Sequence, residues 1–137
     1  MAYDFQVVID SHDPHVLAEW WAEAIGWVIE PTDEDFIRKM IAEGYAREED
    51  TITHRGALVW REGAAIRHPD GLDSGIGKRI LFQLVPEPKT VKNRLHWDLR
   101  GNVDEFVERG ATHRWDRPGW TAMADPEGNE FCVLPEE

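Results

Sequence analysis

Between Asp4 and Asp10 the chain alternates Phe5, Val7 and Ile9 with Gln6, Val8 and Asp10, the period of two that marks a half-buried strand. The period then lengthens. Asp13 stands where a helix is capped, Pro14 occupies its first position, and Val16, Leu17, Trp20, Trp21 and Ala24 recur at helical spacing until Gly26 stops the run. Of the two adjacent indoles, Trp20 is the expected core residue. A short strand at 27–29 follows, and Thr32-x-x-Asp35 reads as a capping box for a second helix with Phe36, Ile37, Met40 and Ile41 on one face and Gly44 at its end. Residues 45–55 are polar enough to read as a connector, and Ala57-Leu58-Val59-Trp60 resumes strand.

The second half is patterned more tightly. It predicts a strand over 94–100, a short helix from Val103 to Glu108 closed by Gly110, and strands over 111–116, 119–124 and 129–135. Arg117-Pro118-Gly119 and Asp125-Pro126-Glu127-Gly128 supply the turns between them. Phe82-Gln83-Leu84-Val85-Pro86-Glu87 returns as Phe131-Cys132-Val133-Leu134-Pro135-Glu136, and each copy follows a Pro-acid-Gly turn. The chain therefore reads as a duplication inside one domain spanning 1–137. Module one covers about 4–86 with a helical insertion at about 32–55, and module two covers about 94–135. Each runs strand-helix-strand-strand-strand. Gln6 is matched with His96 and Gln83 with Cys132 across the pseudo-twofold.

Composition narrows the partners. Fifteen Lys and Arg face 27 Asp and Glu, a formal charge of −12, and that field repels phosphate backbones and anionic headgroups, so neither nucleic acid nor membrane is expected. No apolar run approaches the roughly 20 residues that span a bilayer. The one cysteine, Cys132, can form no intramolecular disulfide, and the opening residues lack a basic segment followed by an apolar one, which together suggest a cytoplasmic location. Lys89, Lys92 and Arg94 read as a solvated connector between the modules, and His12, His15, His54, His68 and His113, lacking the spacing of a metal cluster, read as surface residues.

Arg94-Leu95-His96-Trp97-Asp98-Leu99 and Asp125-Pro126-Glu127-Gly128-Asn129, taken with the order of elements over about 4–135, resemble the vicinal oxygen chelate superfamily of glyoxalases, bleomycin-resistance proteins and ring-cleaving dioxygenases. The run Val85-Pro86-Glu87-Pro88-Lys89 through Arg94 is similar to its glyoxalase-like group. The resemblance implies an α+β fold of two βαβββ modules whose curled mixed sheets form a cup, and a homodimer. In metal-dependent members it also implies a divalent ion between the modules, whose ligands here would be His96, Gln6, Gln83 and Cys132. Gln6 and His96 suit that role. Gln83 and Cys132 stand where those members place a carboxylate, and a hard divalent ion needs that charge to offset its dehydration. No cofactor is therefore expected, a divalent metal being the alternative.

His96 lies on the strand face opposite Leu95 and Trp97, next to Asp98, which can set its tautomer. Cys132 reads as a small apolar filler. Trp60, Trp115 and Trp120 stand on strands where aromatics can stack a flat ligand. The expected function is a small-molecule-binding glyoxalase-like protein, serving drug or natural-product binding or resistance, or a cofactor-free enzyme. Its ligand is planar or aromatic and its binding residues are Gln6, Gln83, His96, Asp98, Cys132, Trp60 and Trp120, with no catalytic residue assigned. The alternative is a metal-dependent lyase, isomerase or dioxygenase of the glyoxalase type.

Overall fold

A computed structural model describes residues 2–73 and 77–136. The chain divides into two compact units, Met1–Pro86 and Glu87–Glu137. In the first, β1 (Val7–Ser11), α1 (Pro14–Ile25), β2 (Val28–Ile29), α2 (Glu34–Ala42), β3 (Thr51–His54), β4 (Ala57–Trp60), β5 (Gly63–Arg67) and β6 (Arg79–Leu84) follow in order. A four-stranded sheet runs β1-β6-β5-β2, with β1 parallel to β6 and the other pairs antiparallel. Alternation along β6 turns Ile80 and Phe82 into the core with Ile66 of β5, where Leu17, Ala18 and Trp21 of α1 meet them. Arg79, Leu81 and Gln83 point to the other face.

α1 departs from expectation in two details. Its buried stripe is Pro14, Leu17, Ala18, Trp21 and Ala22, so Trp21 is the core indole at 1% exposure while Trp20 sits half-buried beside it, edge to face at 4.9 Å. Asp13 takes the cap position without a side-chain cap hydrogen bond; Pro14 starts the helix and Gly26, at φ 72°, ends it in the left-handed conformation. The second helix is capped by Asp33, whose carboxylate accepts from Phe36 N–H at 3.1 Å, so the Thr32-to-Asp35 box is displaced.

The stretch read as connector over 45–55 contains β3, which pairs with β4 in a separate two-stranded hairpin. Thr51-Ile52-Thr53-His54 offers one apolar residue and no amphipathic signal; its pairing partner makes it a strand. Arg55 and Gly56, at φ 50° and 80°, form the tight turn whose twist suits a two-residue hairpin. The inserted segment thus runs from α2 through β4, and Glu34 accepts the Leu58 N–H at 2.7 Å to hold helix and hairpin together.

The second unit comprises β7 (Asp98–Arg100), α3 (Val103–Glu108), β8 (Thr112–Arg117), β9 (Trp120–Ala124) and β10 (Glu130–Leu134). Its sheet runs β7-β10-β9-β8, the same first-last-third-second order as in the first unit. The first strand is shorter than the expected 94–100. α3 is capped by Asn102 and packs Phe106 against Phe131, ring centroids 5.3 Å apart. Buried Asp125 fixes the turn before β10 by accepting from Glu127 N–H, Asn129 N–H and the Asn129 amide.

Register corrects one equivalence. Gln83 lies opposite Asp10 in the first sheet and Cys132 opposite Asp98 in the second. With Gln83 matched to Cys132, Asp10 corresponds to Asp98 and Val8 to His96, so the match of Gln6 with His96 is two residues out. The sequence repeat anchors only the last strands of the halves; the ladder anchors the first. Among the described residues no helix is long and apolar enough to cross a membrane.

Candidate functional site

The outward face of the first sheet floors a cavity of about 950 Å³. Arg79, Leu81 and Gln83 reach it from alternate positions of β6, and Gly63 and Ala65 of β5 keep the floor low. Trp60 and Phe36 of the inserted segment also line it, as does Glu30 just past β2. Glu30 grips Arg79 through two bonds, Nε to Oε2 at 2.9 Å and Nη2 to Oε1 at 3.0 Å, and takes Arg67 Nε at 2.7 Å. The Arg79 hydrogen bond holds the Glu30 carboxyl below its ordinary range, with Arg67 adding to it against the opposing effect of burial. Arg79 Nη1 donates to Gln6 Oε1 at 3.1 Å, which ties Gln6 to the cavity wall.

In the second unit His96, Asp98 and Cys132 converge, one ligand-type atom of each lying within 4.8 Å of the others. His96 Nε2 stands 3.8 Å from Asp98 Oδ1, and both residues are exposed while Cys132 is buried. Burial pushes the Cys132 thiol up and the Asp98 charge pushes it further, with Lys92 opposing. Register aligns Asp98, Cys132, Ala122 and Trp115 in one row across the sheet, and Lys92 stands over the Trp115 ring at 5.7 Å. Trp120, 36% exposed, lies opposite Arg117 and outside the converging set.

An imidazole, a carboxylate and a thiol make a donor set suited to zinc rather than to magnesium, calcium or manganese. His96, Asp98 and Cys132 would hold such an ion, and when bound it would polarise a ligand oxygen as a Lewis acid. The carboxylate comes from Asp98, which the expected ligand set omitted, although His96-x-Asp98 already places both on one strand face. The expected ligands Gln6 and Gln83 belong to the first unit, with Arg79 and the cavity.

Sequence reasoning also missed Glu30, Arg67 and Arg79. Arg79-x-Leu81-x-Gln83 carried a same-face signal; Glu30 carried none, because its partnership depends on sheet order. Two expectations about surface residues need correcting in part. His15 is buried and donates from Nε2 to Trp60 O at 2.7 Å, while His54 bonds Glu19 and stacks near His15 at 5.2 Å. The connector is exposed at Lys92 and Arg94 as expected but tied down at Lys89, which lies 3.6 Å from Glu130 with side chains 18% and 10% exposed, and Asn93 N–H donates to the same carboxylate at 2.6 Å. Burial raises the Glu130 carboxyl, but Asn93 and the two lysines outweigh it and hold it low.

Two sheets of matching strand order, each with a helix after its first strand, define an α+β protein of the βαβββ type. Residues 6–134 match the glyoxalase-like domain family, and the chain belongs to that family. No curated protein matches it significantly. Among solved structures it is similar to the genomically encoded fosfomycin resistance protein FosX from Listeria monocytogenes, at 11% identity and a TM-score of 0.59, covering 100% of this chain and 93% of that one. A glyoxylase/bleomycin resistance protein/dioxygenase domain from a Frankia species is similar at 15% identity and TM-score 0.55, over 100% and 93%. A possible glyoxalase from Bacillus cereus matches at 11% identity and TM-score 0.56, over 97% and 99%. At these identities the likeness is one of fold.

Proposed function

We propose that the chain binds a planar, largely apolar small molecule whose body lies in the cavity of the first unit. The cavity itself carries the reading: about 950 Å³, with Trp60 and Phe36 as flat apolar walls and the Gln83 amide as an orienting group. That volume falls within the roughly 300–1,000 Å³ usual for ligand pockets, where apolar area supplies affinity and a few polar groups fix orientation. Resistance to a drug or natural product is the physiological role we attach to it, supported by fold likeness to a named resistance protein. His96, Asp98, Cys132 and Trp120 form a further candidate contact set in the second unit.

Titration of the protein with a panel of planar aromatic compounds, corrected for inner-filter absorption, tests this. At least one should quench tryptophan emission saturably. Trp60→Ala should weaken that compound about tenfold, the scale of a lost aromatic contact, with only a small change in melting temperature. A panel that gives neither saturable quenching nor a melting shift sinks the reading.

A further inference from the structure

The polar corner of this cavity is a cation held open. Arg79 stands at the start of β6 with its side chain 20% exposed, next to Arg67 at 17%, and both are drawn onto the single carboxylate of Glu30. A guanidinium keeps its charge at any ordinary pH and carries five N–H donors. Three of those on Arg79 are engaged, two by Glu30 and one by Gln6 Oε1, which leaves two on a side chain that lines the cavity. Arg67 brings a second guanidinium to the same carboxylate, so Glu30 is shared between two cations. Asp33 and Glu62 bring negative charge and Arg61 positive charge to the rest of the lining, so it is the two remaining donors of Arg79, not a net charge of the cavity, that select an anion.

We propose that the ligand is an organic monoanion, with its carboxylate-like group received by Arg79 and its flat apolar body laid against Trp60, Phe36 and Leu81. The inference rests on the binding reading above and specifies the ligand's chemistry. A carboxylate offers two oxygens at the spacing of guanidinium donors, and a charge-assisted bond in a partly buried corner discriminates strongly against a neutral amide of equal shape. Glu30 sets the strength of the site, because its charge competes with the ligand's for the same guanidinium.

The test compares 2-naphthoate with 2-naphthamide, the same ring with and without the charge, by calorimetry and tryptophan quenching. The native protein should bind the naphthoate at least about tenfold more tightly. Arg79→Met should bring the naphthoate down to the level of the naphthamide. Glu30→Gln should tighten the naphthoate several-fold and leave the naphthamide unmoved, so the proposal is still read if Arg79→Met fails to fold. Equal affinity of the native protein for the two probes, or variants that move both alike, overturns the anion site and leaves the cavity reading standing. Binding of neither probe overturns the anion site, and the wider panel of planar compounds then decides the cavity reading separately.

Discussion

One position separates Trp20 from Trp21, and the helix turns about 100° between them, which carries one indole into the core and leaves the other on its flank. The difference should be measurable. Trp21→Ala removes a side chain 1% exposed among Leu17, Ile66 and Phe82, so the loss of burial and the remaining cavity should cost about 3–5 kcal/mol in urea unfolding. Trp20→Ala should cost clearly less, because water reaches its site. Equal losses would mean that the edge-to-face pair, rather than burial, carries the stability. Arg79 shows the converse at the same scale: a charged residue in a strand, where the pattern promises exposure, is largely covered because Glu30 and Gln6 supply partners.

At the scale of elements, the inserted hairpin is held to α1 by polar groups. Glu19 on α1 accepts from His54 at the end of β3 and from Arg55 in the turn, while His15 on α1 bonds the Trp60 carbonyl at the end of β4. Burial raises the Glu19 carboxyl, yet the His54 and Arg55 bonds outweigh it and the net shift is downward. A carboxyl depressed in the folded state contributes stability above its unfolded value, about 4.3, and loses it as pH falls through the folded value. Glu19→Gln should therefore raise hydrogen-exchange rates of the β3 and β4 amides at neutral pH while leaving β5 and β6 protected. The gap between native and variant protection should close once pH drops below the folded value. A gap independent of pH would assign the docking to packing instead of to the ion pair.

For the whole molecule, the formal charge of −12 stands against the guanidinium of Arg79 that faces the cavity. A field of that sign slows the approach of an anion, and salt screens it over about 8–10 Å near physiological ionic strength. The partly buried contact with Arg79 is screened less. Stopped-flow association of 2-naphthoate should accordingly speed up between about 10 and 150 mM salt, whereas that of 2-naphthamide should not change. An on-rate for the anion that falls with salt would show that the local charge already dominates at a distance.

Local patterning, with the resemblance carried by the His96 strand and the Asp125 turn, determined the class of this protein. The helix from Val103 to Glu108, the Pro118-Gly119 turn, the Asp125 turn and the strand-helix-strand-strand-strand order of the second half were legible because periodicity, capping and turn residues act over a few neighbours, whereas in the first half β4, read as a strand of the module, belongs to the inserted hairpin and β5 takes its place in the sheet. Trp60 and Gln83, read from residue type as candidate contacts, both line the cavity of the first unit. Strand β3 and the registers were decided by pairing partners far along the chain, which a strand of Thr51-Ile52-Thr53-His54 cannot announce by itself. Register likewise joined Asp98 to Cys132, and sheet order joined Glu30 to Arg79 across 49 positions. Pairings at that separation leave no trace in local sequence, since each side chain is chosen for a neighbour that only the folded sheet brings near.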